Sequence, residues 1–217
     1  MTAKKKSSAG KKFVSFSDDD GVSRSNRFSN SHANADGPPV YVRRTWFIIP
    51  FHLPLLTYWF LKYSDNYDIK TLAWCLIPCQ LAYLVMQFNQ CTVYGNKIVK
   101  INILLLFISA VTALLLTIPC TIICILFGAP FLEKLDRTWW LSLHCCILAY
   151  PAIYSVCNSD FKVGYFKKYF ILIAVGCWIS CAAIPLDWDR PWQSWPIPLI
   201  VGGYLGAFVG YTFGTLI

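Results

Sequence analysis

The chain has few charged residues and carries none of the short motifs that identify the common soluble enzymes. Only 14% of its 217 residues are charged and 56% are hydrophobic, a composition typical of a protein with several membrane-spanning segments. It has no serine nucleophile elbow, no phosphate-binding loop and no paired-histidine metal motif. These absences exclude the enzyme classes that those motifs identify. We therefore expect no catalytic residues, no cofactor and no bound metal ion.

The first 37 residues lack apolar periodicity and are rich in Lys, Ser, Asn and Asp. Such a segment cannot bury enough apolar surface to offset the entropy of ordering it, so we predict a disordered, basic tail over residues 1–37. The tail also lacks the apolar core of a cleavable signal peptide. The first membrane helix must then act as the targeting signal, and residues 38–217 are predicted to form one polytopic transmembrane helical domain.

Six apolar stretches approach the roughly 20 residues that cross a hydrocarbon core about 30 Å thick. They lie at residues 44–61, 71–88, 101–127, 138–157, 168–186 and 196–217. The third and sixth are the clearest, whereas the first is short and is interrupted by Pro50 and Pro54. We therefore predict an all-α membrane protein, a bundle of about six transmembrane helices, with five as the alternative count.

Basic residues indicate how this bundle is oriented. With six spans, the side that holds the N-terminal tail carries 14 of the 19 Lys and Arg residues. The positive-inside rule then places both termini in the cytosol. If only the short loops are counted, each side of the membrane has five Lys and Arg residues. The net charge of +8 belongs on this view to a cytosolic tail near anionic lipid, and we expect no nucleic-acid partner.

A short turn between the last two apolar stretches, within residues 184–198, combines two carboxylates, one guanidinium and three tryptophans. Its most compact group is Asp187, Trp188, Asp189 and Arg190. We favour structural capping of the hairpin, in which Arg190 pairs with a neighbouring carboxylate. Docking of a partner protein is the second interpretation. Binding of a divalent cation that carries a phosphate, through the alternate carboxylates, is the third.

Glycine recurs every four residues in the last apolar stretch, at Gly202, Gly206, Gly210 and Gly214. These glycines line one side of a helix, and a stripe of small residues lets another membrane helix approach closely. No partner for the stripe is evident within the chain. We therefore predict that the glycine stripe contacts a partner protein, and we include Asp187, Trp188, Asp189 and Arg190 as candidates for the same contact.

Several polar or helix-breaking residues fall inside the predicted spans. His52 and His144 are candidate functional residues because ionisable groups are costly in a membrane. Neither has an acidic partner in its own helix, so we favour a hydrogen-bonded packing role over catalysis. Pro78, Pro119 and Pro151 predict kinks. The ten cysteines include three pairs at four-residue spacing, which we interpret as packing residues rather than zinc ligands.

Six segments carry a resemblance to a known family. They are residues 38–43 (PPVYVR), 91–97 (CTVYGNK), 127–130 (FGAP), 148–152 (LAYPA), 160–164 (DFKVG) and 184–210. The most specific motif is PLDWDRPWQ at residues 185–193. On these motifs the chain resembles the PIG-F family from about residue 38 to its end, and it is most similar to the budding-yeast-like fungal members.

The resemblance implies a function. Members of the PIG-F family are small multi-span subunits of the endoplasmic-reticulum enzymes that transfer ethanolamine phosphate to mannoses of the glycosylphosphatidylinositol (GPI) precursor. The chain would then be a non-catalytic accessory subunit in the endoplasmic-reticulum membrane. Its partners would be the large catalytic transferase subunits and membrane lipid. The alternative is a membrane enzyme or a lipid-presenting protein that acts directly on phosphatidylethanolamine or on the GPI precursor.

Overall fold

A computed structural model of the chain describes residues 40–42, 46–90, 92–94, 97–98, 100–158, 167–186 and 188–213. Over these residues the fold is a helical bundle. Its helices are α1 (His52–Tyr63), α2 (Ile69–Gln90), α3 (Ile103–Leu126), α4 (Leu135–Leu148), α5 (Tyr150–Asn158), α6 (Lys167–Ser180) and α7 (Ile197–Phe213). The all-α fold class is confirmed. The predicted tail at residues 1–37 lies outside the described residues.

The helical segments alternate in direction through the bundle. Helix α2 runs parallel to α4 and α5, since Gln80 contacts Leu148 and, further along both segments, Phe88 packs on Tyr154. In contrast, α3 runs antiparallel to α4 and α5, with its beginning beside Tyr154 and its end beside Ser142. Each of the six predicted stretches therefore contains a helical segment, and the fourth stretch contains two.

The structure does not confirm six membrane spans. Among the described helices, only α2 and α3 are long and apolar enough to cross a membrane alone. The pair α4 and α5 makes a third if the two are counted as one bent span. Helix α1 has 12 residues and covers about 18 Å, while α6 and α7 have 14 and 17 residues and fall short of roughly 20. Apolar composition locates these segments along the sequence, but it does not determine the residues at which each helix begins and ends.

A bend of 53° separates α4 from α5. Pro151 is the second residue of α5, and it cannot donate a backbone hydrogen bond to the preceding turn. The kink predicted near Pro151 is therefore confirmed. Pro78 and Pro119, in contrast, lie inside the continuous helices α2 and α3.

Local polar groups begin the two longest helices. Asp68 precedes α2, where its carboxylate accepts hydrogen bonds from the Lys70 amide at 3.0 Å and from the Thr71 hydroxyl at 2.5 Å. These bonds hold the pKa of the exposed Asp68 carboxyl below its usual value. Asn102 precedes α3, and its side chain accepts from the Leu104 amide at 3.1 Å. Each side chain satisfies an amide that the first turn of a helix leaves without a partner.

The chain also forms a small antiparallel sheet, whose strands come before α1 and between α2 and α3 in the sequence. It consists of β1 (Val40–Val42), β2 (Thr92–Tyr94) and β3 (Lys97–Ile98). Strand β1 pairs with β2, and β2 pairs with β3. The sequence analysis did not predict these strands, because segments of two or three residues are too short to show an alternating pattern.

Candidate functional site

The turn between α6 and α7 is organised around Gln193, a buried residue in a short 3₁₀ helix. Its side-chain amide donates to the carbonyl of Ala183 at 3.0 Å and to that of Leu186 at 2.7 Å. Its side-chain carbonyl accepts from the Arg190 amide at 2.9 Å. One side chain therefore satisfies three backbone groups and closes the turn on itself.

Two contacts attach this turn to the start of α4. The indole of Trp195 donates to the Thr138 hydroxyl at 3.1 Å, and Thr138 is fully buried. The guanidinium of Arg137 donates to the carbonyl of Trp195 at 3.4 Å. Because the turn is held both internally and to α4, its backbone is a fixed platform for the residues at its tip.

The tip presents its predicted site residues outward. Trp188, Asp189 and Arg190 are all exposed, and the ring centroids of Trp188 and Trp192 lie 5.8 Å apart. Asp189 has a backbone φ of 48°, a left-handed conformation that turns the chain sharply. Asp187 lies outside the described residues. The structure therefore brings an aromatic, an acidic and a basic side chain together on one rigid, exposed tip.

No group of three or more His, Cys, Asp or Glu side chains that could hold a metal ion occurs among the residues that the structure describes. The nine cysteines in that part of the chain are free thiols. Several of them lie between helices, as where the sulfur atoms of Cys145 and Cys177 are 3.9 Å apart. Their positions agree with the packing role that the sequence indicates.

The glycine stripe has a partner within the chain, so our expectation that none exists was wrong. Helix α6 lies directly against it. A Cβ atom at Gly206 would overlap the backbone carbonyl of Leu172, and one at Gly202 would overlap the carbonyl of Gly176. The two backbones approach more closely than any side chain would allow, which is the arrangement that small-residue stripes permit. Contact with a helix of another protein is not needed to explain these two glycines.

The remaining members of the stripe differ from these two. A Cβ atom at Gly210 would only touch side-chain atoms of Leu172 and Tyr169, at 3.5–3.6 Å. Gly214 lies outside the described residues. The sequence does contain a signal for the missing partner, because Gly176 and Ser180 repeat the four-residue spacing of small residues on α6.

A buried polar node sits at the bend between α4 and α5. The carbonyl of Leu148 accepts from the Tyr211 hydroxyl at 2.6 Å and from the Gln80 amide at 3.2 Å. Gln80 in turn accepts from the His52 ring at 2.8 Å. A bend frees backbone carbonyls, and within a membrane such groups must find partners inside the protein. Helices α2 and α7 supply the partners of this carbonyl, and α1 supplies the partner of Gln80. The spacing of polar residues in the sequence did not reveal them.

His144 forms a second polar contact in the core. Its Nε2 lies 3.1 Å from the carbonyl of Ile69, and its Nδ1 lies 3.1 Å from the Tyr204 hydroxyl. Because a carbonyl can only accept, Nε2 carries the proton and Nδ1 accepts from Tyr204. Both ring nitrogens thus join helices to one another. The hydrogen-bonded packing role predicted for His52 and His144 is confirmed.

Comparisons with known proteins identify relatives of the whole helical unit. The sequence profile described as "GPI biosynthesis protein family Pig-F" matches residues 48–215. Three proteins called "Glycosylphosphatidylinositol anchor biosynthesis protein 11" are similar over nearly their full length. The one from Eremothecium gossypii is 66% identical over 98% of both chains, and the one from Saccharomyces cerevisiae is 55% identical over 100% of both. The Kluyveromyces lactis protein is 56% identical over 94% of both chains. No solved structure matches the chain.

Proposed function

Because the chain belongs to the GPI biosynthesis protein family Pig-F, we propose that it is a non-catalytic accessory subunit of the enzymes that add ethanolamine phosphate to mannoses of the GPI precursor. It would bind and stabilise the large catalytic transferase subunits in the endoplasmic-reticulum membrane. The resemblance of residues 185–193 to the family motif is the sequence observation behind this role.

The rigid tip of the α6–α7 turn is the structural observation that carries the proposal. Gln193 and Trp195 hold its backbone, while Trp188, Asp189 and Arg190 are exposed. A pre-organised surface loses little conformational entropy on binding, and aromatic and arginine side chains dominate the energetics of many interfaces. The tip therefore supports docking of a partner rather than a purely internal cap.

The buried polar residues support an accessory role. Gln80 and Tyr211 both bond to the Leu148 carbonyl, and His144 uses both ring nitrogens in contacts between helices. A general acid or base needs a ring nitrogen within reach of a substrate proton. His144 is only 1% exposed. These side chains thus act in helix packing, and the chemistry is assigned to the partner.

Neutralising the carboxylates of the 187–190 group tests this proposal. We expect Asp187→Asn and Asp189→Asn to lower the amount of transferase subunit that co-purifies with the chain in mild detergent. The complex that remains should keep normal ethanolamine-phosphate transfer per molecule. Ser194→Ala is the matched control, because Ser194 is exposed on the same turn and donates only to the Pro191 carbonyl.

The opposite result would identify an enzyme. If these carboxylates held a catalytic cation, the complex would assemble fully and lose transfer by several orders of magnitude, since the charge of the metal would no longer stabilise the transition state. Full assembly with abolished transfer therefore contradicts the accessory role and favours direct action on phosphatidylethanolamine or the GPI precursor.

The proposed orientation has both termini in the cytosol and the tip in the lumen. Single cysteines at Ser8 and Ser194, in a cysteine-depleted chain, provide the test. A membrane-impermeant thiol reagent should reach Ser8→Cys only from the cytosolic side and Ser194→Cys only from the lumenal side. Labelling of both positions from one side would exclude an odd number of crossings between them and would contradict the six-span arrangement, which places five there.

A further inference from the structure

Helix α3 is longer than the hydrocarbon core of a membrane. The exposed Lys100 and the helix cap Asn102 place the beginning of α3 at one boundary of the core, because charged groups are costly within it. The 24 residues of α3 cover about 36 Å, whereas the core is about 30 Å thick. Leu126, the last residue of α3, therefore lies about 6 Å beyond the opposite boundary, in a headgroup layer that is roughly 5–8 Å thick.

A glycine turns the chain at that depth. Gly128 has a backbone φ of 100°, and its amide donates to the Ile125 carbonyl at 2.9 Å. The amide of Ala129 donates to the Cys124 carbonyl at 3.0 Å. This pair of bonds is a Schellman motif, which satisfies the last carbonyls of a helix. Pro130 follows and cannot continue the helix. The chain therefore leaves the axis of α3 within the headgroup layer.

The segment around this turn, residues 127–132, is apolar and exposed, and we call it the Phe131 loop. Phe127, Phe131 and Leu132 are 88%, 56% and 89% exposed. No Asp, Glu, Lys or Arg occurs from residue 101 to residue 132, whereas four of the next five residues are charged. The stretch without charge therefore ends with the loop and not with the helix.

The turn between α1 and α2 shows that an apolar composition is not needed to reverse the chain here. Helix α2 runs parallel to α4, so α2 begins at the end of the bundle where α3 ends. Four of the five residues 64–68, which precede α2, are Ser, Asp or Asn. A turn at this end of the bundle can thus face water, and the Phe131 loop differs from it by its three large apolar side chains.

Two tryptophans lie at the same depth as the loop. The Ser142 hydroxyl is 3.8 Å from the sulfur of Cys124, and α3 and α4 are antiparallel. Phe127 follows this contact by three residues and Trp139 precedes it by three, so the two side chains lie at about the same depth. Trp139 is exposed, and its ring centroid is 5.3 Å from that of Trp140. Tryptophan is enriched where headgroups meet hydrocarbon.

The length of α3 and the two tryptophans thus agree on the depth of the loop. We propose that Phe127, Phe131 and Leu132 insert into the headgroup boundary of the bilayer and anchor the end of α3 there. Only 17% of the apolar window of α3 is buried within the protein, and the loop continues directly from this helix. The lipid that surrounds α3 therefore also covers the loop. The anchor depends on α3 crossing the membrane and does not depend on the proposed transferase partner.

Depth-dependent fluorescence quenching tests the proposal. The full chain, depleted of cysteine and carrying Leu132→Cys, is labelled with nitrobenzoxadiazole and reconstituted in phosphatidylcholine vesicles. A nitroxide on the fifth carbon of the acyl chain should quench the probe at least twofold more than one on the sixteenth carbon. Val111→Cys, on the exposed face of α3 about 14 Å from Asn102, should show the reverse order. Iodide in the water should quench Ser194→Cys at least fivefold more than Leu132→Cys.

A charge in the loop supplies the decisive variant. Phe131→Asp should move the Leu132 probe toward water and lower its quenching by the fifth-carbon nitroxide at least twofold, because a carboxylate is costly in hydrocarbon. Asp136→Asn is the control, because it alters one exposed charge close to the loop, and its quenching should match that of the unmodified loop. Phe127→Cys is a second probe position with the same expected order of quenching.

Three results would overturn the proposal. Iodide quenching of the Leu132 and Phe127 probes as strong as that of the Ser194 probe would place the loop in water. Protection of both loop probes from iodide and from both nitroxides would show that protein covers the loop. Stronger quenching from the sixteenth carbon than from the fifth would place it deep in the core. Elution of each labelled chain as a single species confirms that it is folded.

Discussion

Helices α3 and α7 come from the two stretches that read most clearly as membrane spans in the sequence, yet they are packed very differently. Only 17% of the apolar window of α3 is buried within the protein. In α7, 11 of 17 residues are buried. Helix α3 is the longer of the two, with 24 residues. A strong apolar signal therefore does not indicate how deeply a helix lies inside the bundle.

Residue size and polar groups account for the difference. Helix α3 has one narrow contact face of small residues spaced four apart: Ser109, Ala113, Thr117 and Thr121. The rest of its surface is large, exposed aliphatic side chains, which suit lipid. Helix α7 contacts α6 through its glycines and reaches α4 through the hydroxyls of Tyr204 and Tyr211. Both features require close neighbours, so α7 is enclosed.

The largest effect is expected where α7 meets backbone. Gly206→Ala places a methyl group against the Leu172 carbonyl, which cannot move without shifting α6. Overpacking typically lowers the free energy of unfolding by about 1–3 kcal/mol, and a clash with backbone is expected to cost about 3 kcal/mol, the upper end of that range. Gly210→Ala is the matched control, because its methyl group would lie 3.5 Å from a Leu172 side-chain carbon. Thermal unfolding of both variants in detergent checks the difference, and equal midpoints would contradict the contact.

The contact face of α3 provides the next test. Ala113 is 5% exposed and faces the bundle, whereas Leu114 is 56% exposed. We expect Ala113→Leu to destabilise the fold by about 1–3 kcal/mol through overpacking. Leu114→Ala should change stability by less than about 0.5 kcal/mol, as is usual at the surface. A larger loss for Leu114→Ala in the same unfolding assay would mean that the outer face of α3 is packed.

Gln193 tests whether the fixed turn contributes to the burial of α7. Gln193→Ala leaves the Ala183 and Leu186 carbonyls and the Arg190 amide without their partner. Loss of such bonds costs about 1–2 kcal/mol. We also expect faster proteolysis within residues 184–196. Ser194→Ala should behave like the unmodified chain in both measurements. Unaltered cleavage of the Gln193 variant would argue against a turn that this side chain holds closed.

The smallest effect concerns the caps of the two long helices. The pKa of Asp68 is lowered by the hydrogen bond from Thr71 above all, so its contribution to stability is present above the unfolded pKa of about 3.9. It is lost as the pH falls through the lower, folded value. Asp68→Ala should therefore cost about 0.5–1 kcal/mol at pH 7 and little at strongly acidic pH. Asn102→Ala in α3 should cost a similar amount at both pH values, because an amide does not titrate. Equal pH dependence in the two variants would exclude the Asp68 carboxylate as the source.

The positions of the helical segments could be predicted because apolar stretches and turn residues are local features. The bend next to Pro151 and the packing roles of the two histidines followed in the same way. The span count could not be settled in this way, since α1 has 12 residues whereas the apolar stretch that predicts it, residues 44–61, is longer. The partner of the glycine stripe was missed because the four-residue spacing on α6 is marked by a single glycine, Gly176, and Ser180.

By itself, the sequence determined the helical membrane character, the family and the existence of a polar turn before the last helix, since all three depend on composition or contiguous motifs. Tertiary structure alone decided which surfaces are enclosed. Gly206 contacts Leu172, Gln193 closes the turn by bonding to Ala183, and Tyr211 bonds to the Leu148 carbonyl. Each of these contacts joins residues of two different helical segments. Such contacts depend on the distance between backbones, which no periodicity within one segment records.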